Sequence, residues 1–460
     1  MKASSAGLLL LGIVVLAMAG LWIHHLRNPG LEPTLPRDKP KSFTAKVSDK
    51  LNIDFYLDAS VSVAGFLPPQ KDQTNSDQTN HFADLLDQAD GILTGNWPDV
   101  TVRYWRFGKG DPQLIPNIRN FYVQRIDPNA KHDPMWDFSE KETHIDAAIE
   151  SNVPSKGLRD ELKIIVTDLF QTQNDLGKLA TELNTGYLKQ PDTAISVLCI
   201  RNSFFGKIYD LPNENDILPE GAADSLPFYI LICGKLPDVQ HATELLKKRL
   251  KLSTESILSI IYSSHPIPES TQPLRIKESG DYTVYTNLVK GAEEERIPQV
   301  AISKGKLVEI PLTEEFPGET VRSVVNTAFK LQKSLNVTAQ KWGKSDYENF
   351  KPDDPDKPAF QVDSSQRKII VDGSQLEKRT VYLVSMDLQA APGDLSEVNS
   401  WGLRRGDFKS IMDQKKFDET KEGHRPGKTP NLDYFLQTLT DRVFQNPVPL
   451  ARYYLYVKVI

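Results

Sequence analysis

Apolar and polar positions along the chain sort into short runs with two periodicities. Leu51–Leu57 (LNIDFYL) reads as a strand ending at Asp58, and Val100–Phe107 (VTVRYWRF) alternates as a half-buried strand does. Leu162–Thr167 (LKIIVT) is an almost unbroken apolar run ending at Asp168, and Thr193–Ile200 is a further apolar strand. Between these runs, His81–Leu93 puts Phe82, Leu85, Leu86 and Ala89 on one helical face. Thr143–Glu150 reads as a short helix and Asp175–Leu188 as a longer one. Strands alternating with helices predict an α/β architecture: a Rossmann-like, doubly wound, mostly parallel sheet covered on both faces. In such sheets ligands bind beyond the carboxyl ends of the strands, where Asp58 and Asp168 both fall.

Further on, Phe228–Cys233 (FYILIC) and Ile257–Tyr262 read as strands and Asp238–Lys251 as a helix. Beyond Pro266 the segments become short and β-like: Tyr282–Leu288, Gln299–Ile310, Lys368–Val371, Thr380–Leu388 and a closing strand at Arg452–Ile460. Helical stretches at Glu319–Leu335 and Leu432–Phe444 interrupt them, and Lys351–Pro358 and Thr420–Pro430 read as linkers. The expected organisation is an α/β domain over 50–265, its core at 50–200, followed by a β-rich α+β accessory region over 266–460.

The amino end changes the picture. Ala6–Ile23 is apolar throughout, close to the roughly 20 residues that cross a bilayer as a helix. Ala17-Met18-Ala19 also has the small-x-small form of a signal-cleavage site, but the apolar run continues past it through Trp22. Residues 1–27 are therefore expected to be an anchor or signal segment, and the Pro- and Lys-rich stretch 28–49 a spacer. The expected location is the inner membrane, single-pass and facing the periplasm, with secretion after cleavage as the alternative. With 55 basic against 61 acidic residues the chain lacks the basic excess of a nucleic-acid binder. Its two cysteines, Cys199 and Cys233, rule out a cysteine zinc site by count, and a disulfide requires their strands to be neighbours.

The chemistry concentrates in Asp58-Ala59-Ser60-Val61-Ser62. An aspartate with hydroxyls two and four residues later offers three oxygens on one turn, which suits a hard divalent cation. This D-x-S-x-S string resembles the first element of the metal-ion-dependent adhesion site (MIDAS) of von Willebrand factor A (vWA) domains. Thr143 in Thr143-His144-Ile145-Asp146-Ala147-Ala148-Ile149 is similar to that family's threonine loop, and Ile164-Ile165-Val166-Thr167-Asp168 to its apolar strand ending in Thr-Asp. The resemblance covers under half the chain. It departs from the family in the polar loop that delays the first helix, in the placing of Gly65, and in Leu169, where glycine is common. It implies a metal site of Asp58, Ser60, Ser62, Thr143 and Asp168 holding Mg²⁺, or Mn²⁺ or Ca²⁺, with an open position for a carboxylate of a protein partner.

Three functions follow from these readings. The first is a membrane-anchored, metal-dependent protein-binding module with no nucleic-acid partner. The second is a phosphohydrolase-like enzyme with Asp58 as nucleophile; it calls for an acid–base aspartate two residues on, where Ser60 stands. The third is a structural envelope protein without metal, in which the same hydroxyls serve as turn and helix caps. G-x-S-x-G, H-E-x-x-H and P-loop strings are absent, so no common catalytic motif argues for an enzyme. Arg405-Gly406-Asp407 and the glycosylation-type Asn336-Val337-Thr338 are short enough to be chance strings, and Lys344, Asp346 and Tyr347 come with no catalytic partner.

Overall fold

Seven strands build the sheet that carries Asp58. They are β1 (Lys50–Asp58), β2 (Asp99–Phe107), β3 (Gln113–Ile115), β4 (Glu161–Thr167), β5 (Thr193–Ser203), β6 (Ser225–Lys235) and β7 (Ile257–Tyr262), in the order β3-β2-β1-β4-β6-β5-β7. The structure is a computed structural model that describes residues 46–68, 80–127, 129–150, 160–169, 176–190, 192–205, 225–266, 274–289, 292, 297–313, 328–332, 335–343, 346–352, 357–363, 367–403, 429–430 and 432–460.

Only β1–β2 and β1–β4 pair in parallel; β2–β3, β4–β6, β5–β6 and β5–β7 are antiparallel. The sheet is therefore mixed, which corrects the expected Rossmann-like, doubly wound, mostly parallel architecture. The reason lies in what an apolar run can reveal. β5 and β6 are buried along nearly their whole length, and a strand buried on both faces has the same composition in either direction. Their sequences carried no sign that β6 enters between β4 and β5.

Helices lie against both faces of this sheet. On one side β1 contributes Ile53, Phe55 and Leu57 to a core shared with α1 (His81–Thr94), α2 (Arg119–Ile126) and α5 (Leu236–Arg249). On the other side Tyr56, Ile165 and Val197 join α3 (Ile145–Glu150), α4 (Leu176–Leu183) and α6 (Leu432–Val443). Asn80 caps α1, its side chain accepting from the Ala83 amide at 2.8 Å. At the start of α5, buried Asp238 accepts from Ser48 N (2.9 Å), Ser48 Oγ (2.6 Å) and Trp97 Nε1 (3.3 Å). That carboxylate ties the approach to β1 to the far helix.

The second half is built on antiparallel strands. β8 (Thr283–Tyr285), β9 (Gln299–Ile302), β12 (Asn336–Trp342), β13 (Tyr347–Asn349), β16 (Val381–Pro392) and β19 (Pro449–Val459) form a sheet in the order β13-β12-β16-β19-β9-β8, with β11 (Phe329–Leu331) also on β16. A smaller sheet runs β10-β15-β14, from β10 (Leu307–Pro311), β14 (Phe360–Asp363) and β15 (Lys368–Asp372). The strands β17 (Gly402–Leu403) and β18 (Thr429–Pro430) pair with each other. Gln299–Ile310 is two strands because Gly305, at φ +82°, turns the chain between them. The described end of the expected helix at Glu319–Leu335 is the strand β11, paired with Ala390–Pro392. The two halves meet where α6 covers α4 and β7, with Tyr262 Oη donating to the Leu436 carbonyl at 3.2 Å.

The membrane assignment is also corrected. No helix among the described residues is long and apolar enough to cross a membrane. The run Ala6–Ile23, on which the anchor and the inner-membrane location rested, lies outside those residues.

Candidate functional site

Asp58 ends β1 between the ends of its two parallel neighbours. It stands opposite Phe107 of β2, while Leu57 before it stands opposite Val166 of β4. The register thus brings Asp58, Thr167 and Asp168 to one edge of the sheet. Asp58 is fully buried, Ser60, Thr143 and Asp168 are nearly so, and Ser62 is half-buried. The Asp58 carboxylate is well supported. Oδ1 accepts from Ser60 N at 2.9 Å and more weakly from Thr143 Oγ1 at 3.4 Å; Oδ2 accepts from Thr167 Oγ1 at 2.8 Å. Ser60 Oγ and Ser62 Oγ lie 3.0 Å apart and share a hydrogen bond. Burial pushes the Asp58 carboxyl up to about 6, against the pull of the Ser60, Thr167 and Thr143 hydrogen bonds.

Two neighbouring loops fix this turn. Val61 N donates to Glu140 O (2.9 Å) and Glu140 N to Ala59 O (3.1 Å), so Ser60 and Glu140 form a one-residue β-bridge. His144 N donates to Gly108 O at 3.1 Å, which places Thr143 over the end of β1. Beneath them the buried Arg106 guanidinium donates to Pro134 O, Met135 O, Asp137 O and Glu140 Oε1 at 3.2, 2.9, 3.4 and 3.2 Å. The helix α3 that follows Thr143 is held at both ends. Asp146 pairs with Lys178 of α4, and buried Lys163 of β4 donates to the carbonyls of Ala148 (2.8 Å) and Ile149 (2.6 Å). An ammonium at the carboxyl end of a helix complements the dipole there. Burial nonetheless lowers the Lys163 pKa to about 8.

Of the residues singled out from sequence, Asp58, Ser60, Ser62 and Thr143 come together through hydrogen bonds, and the register sets Asp168 at the same edge. At Leu169 the backbone takes φ +60°, the left-handed region glycine favours, so the sharp turn after Asp168 forms without glycine. Thr167, Arg106, Glu140 and Lys163 were missed. A signal existed for one of them: Lys163 is a lone charge in the apolar run LKIIVT, and a lysine buried in such a strand must find acceptors. The cysteines are free; β5 and β6 are neighbours, but Cys199 faces Tyr229 and Cys233 faces Ile195. The Arg405–Asp407 tripeptide and Lys344 lie outside the described residues, and Asn336–Thr338 opens β12.

Gly108 reports how closely the loops fit. A Cβ there would lie 2.2 Å from Glu140 Cγ and 2.5 Å from its Cβ. Gly108→Ala is expected to displace Glu140 from both Arg106 and Ser60 and to cost about 1–3 kcal/mol. A urea melt with the wild-type midpoint would show that the loops adjust freely.

No family model matches this sequence, and neither a curated protein nor a solved structure matches it. Among the described residues, no group of three or more histidine, cysteine, aspartate and glutamate side chains could hold a metal. No family evidence thus supports the expected vWA domain or its MIDAS, and the expected metal centre is not a cluster of such side chains. What stands at the edge is two aspartates and a set of hydroxyls.

Whether hydroxyls suit a cation is a matter of spacing. Adjacent ligands of an octahedral Mg²⁺, with metal–oxygen distances near 2.1 Å, lie about 3.0 Å apart. The Ser60 and Ser62 hydroxyl oxygens have that separation. The Thr143 hydroxyl directs its proton at Asp58 beside them.

Proposed function

We propose that the edge formed by Asp58, Ser60, Ser62, Thr143 and Asp168 is a protein-docking site that takes up a hard divalent cation, Mg²⁺ in the first instance, and through it a carboxylate of a partner protein. The observation that carries this reading is the 3.0 Å spacing of the Ser60 and Ser62 hydroxyls beside a buried carboxylate. With at most two protein charges opposing it, a divalent cation keeps an electrostatic demand that a partner's carboxylate satisfies better than water. Among the described residues no nucleophile–base pair accompanies the site, so the reading favoured is binding rather than catalysis. It keeps the site residues and departs from the fold, anchor and location first expected.

The test is calorimetric titration of Mg²⁺ and Mn²⁺ into the whole chain, wild type beside Asp58→Asn and Ser60→Ala/Ser62→Ala. Wild type is expected to bind and both variants are not. A folded wild type that takes up neither ion would sink the proposal and leave the hydroxyls as caps of the turn.

The buried Asp58 adds a pH signature. Its folded pKa, about 6, stands above the ordinary 3.8. The folded chain without cation therefore holds the proton more tightly than the unfolded chain. This group's contribution is most favourable below about pH 4 and is lost as pH rises to about 6, at most about 3 kcal/mol. Cation affinity is expected to run the opposite way, falling about tenfold per pH unit below 6 because the ion must displace the proton. Asp58→Asn is expected to raise stability at pH 7 while abolishing the cation response. A flat affinity between pH 5 and 7 would show that Asp58 takes no part.

A further inference from the structure

Thr167 ends β4 with its side chain buried against Asp58. The register that sets Leu57 opposite Val166 brings the two residues side by side at the strand ends. The Thr167 hydroxyl accepts from the Leu169 amide at 3.2 Å and donates to Asp58 Oδ2 at 2.8 Å. A hydroxyl has a single proton and an ionised carboxylate only accepts, so the direction of this relay is fixed. The amide that feeds it belongs to the sharp turn at Leu169, where φ is +60°.

The Asp58 carboxylate is thereby held from two sides. Oδ1 lies among the groups of the turn, accepting from Ser60 N at 2.9 Å and from Thr143 Oγ1 at 3.4 Å. Oδ2 is drawn the other way, toward β4. While Thr167 keeps its bond, the two oxygens cannot both face one point beside the Ser60 and Thr143 hydroxyls. That matters for the kind of cation. Ca²⁺ takes about six to eight oxygens at about 2.3–2.6 Å, often both oxygens of one carboxylate. Mg²⁺ takes about six at about 2.0–2.1 Å, in a near-octahedral array that the narrow bite of a chelating carboxylate fits poorly.

We infer that Thr167 is a positioning residue that holds Asp58 to one ligating oxygen and so selects a small octahedral cation, Mg²⁺, over Ca²⁺. This role rests on the cation reading of the Asp58 edge and adds to it a residue that does not itself ligate. Without the hydroxyl, Asp58 stays bonded at Oδ1 and can swing Oδ2 toward the same ion, which favours Ca²⁺ more than Mg²⁺.

The experiment is calorimetric titration of the full chain with MgCl₂ and, separately, CaCl₂, on wild type, Thr167→Val, Thr167→Ala and Thr167→Ser. Valine keeps the branched shape without the hydroxyl, alanine removes both, and serine restores the hydroxyl alone. Wild type is expected to bind Mg²⁺ at least about tenfold tighter than Ca²⁺. In the valine and alanine variants that ratio is expected to fall below about threefold, and in the serine variant to return to within about twofold of wild type. A mere loosening of the fold would weaken both cations together and leave the ratio where it was. Mg²⁺ uptake with a ratio indifferent to the Thr167 hydroxyl would therefore sink this role alone, as would a wild type that does not discriminate against Ca²⁺. Failure of both hydroxyl-free variants to fold would make the hydroxyl a structural requirement and overturn the role as well. A wild type that takes up neither ion would remove the cation reading itself, and the role of Thr167 with it.

Discussion

Replacing Arg106 with alanine is expected to destabilise the chain by about 2–4 kcal/mol and, in the same variant, to abolish the divalent-cation response. The guanidinium binds three carbonyls of the 134–140 loop, and it is buried. Its removal strands those acceptors and frees Glu140, whose backbone holds Ala59 and Val61 in place on either side of Ser60. Arg106→Lys tests the geometry apart from the charge. A single ammonium cannot fork across carbonyls spread over four residues, so more than half the loss is expected to persist. Denaturant midpoints and cation titrations on the same samples provide the check. An alanine variant that unfolds earlier yet still binds Mg²⁺ would separate the loop from the site and count against the assembly described above.

The second large effect is expected at Asp238. Alanine there leaves Ser48 N, Ser48 Oγ and Trp97 Nε1 without their shared acceptor in a buried setting, at a cost of about 2–4 kcal/mol. Asparagine should cost about 1 kcal/mol or less. Its carbonyl oxygen can still accept from Ser48 N and Trp97 Nε1, and the Ser48 hydroxyl can turn to accept from the new amide. What asparagine gives up is a negative charge in the first turn of α5. Equal losses for both replacements would mean that charge, rather than hydrogen bonding, dominates. Cation binding at the Asp58 edge is expected to survive both changes, since Asp238 touches none of those residues.

Much of the strand plan was legible because it rests on local pattern. β1 and β4 end on Asp58 and just before Asp168, as their apolar runs implied, and Ile257–Tyr262 is the strand β7. Direction and adjacency were not legible. They depend on which edges meet, and β6 between β4 and β5 leaves no mark in either strand's composition. The same limit applies at the site. Asp58, Ser60 and Ser62 lie in five consecutive residues, so their grouping could be read directly. Arg106 and Glu140 are 34 residues apart and meet only through the register of β2 against β1. In the second half, β12 to β14 are short and mostly half-exposed, too weakly patterned to announce themselves.

The place of β19 bears on how the second half comes to exist at all. This strand, formed by residues 449–459, lies between β16 and β9 and pairs with both, antiparallel to one and parallel to the other. During synthesis, β9 leaves the ribosome about 150 residues before the strand that will lie beside it. Until then both β9 and β16 present unpaired edges, the condition in which chains associate wrongly or are held by chaperones. Closure of this sheet is thus a late, long-range event with a high loop-closure entropy. A frameshift or a protease cut just before residue 449 should remove the middle of the sheet rather than trim its margin, and leave a chain that aggregates.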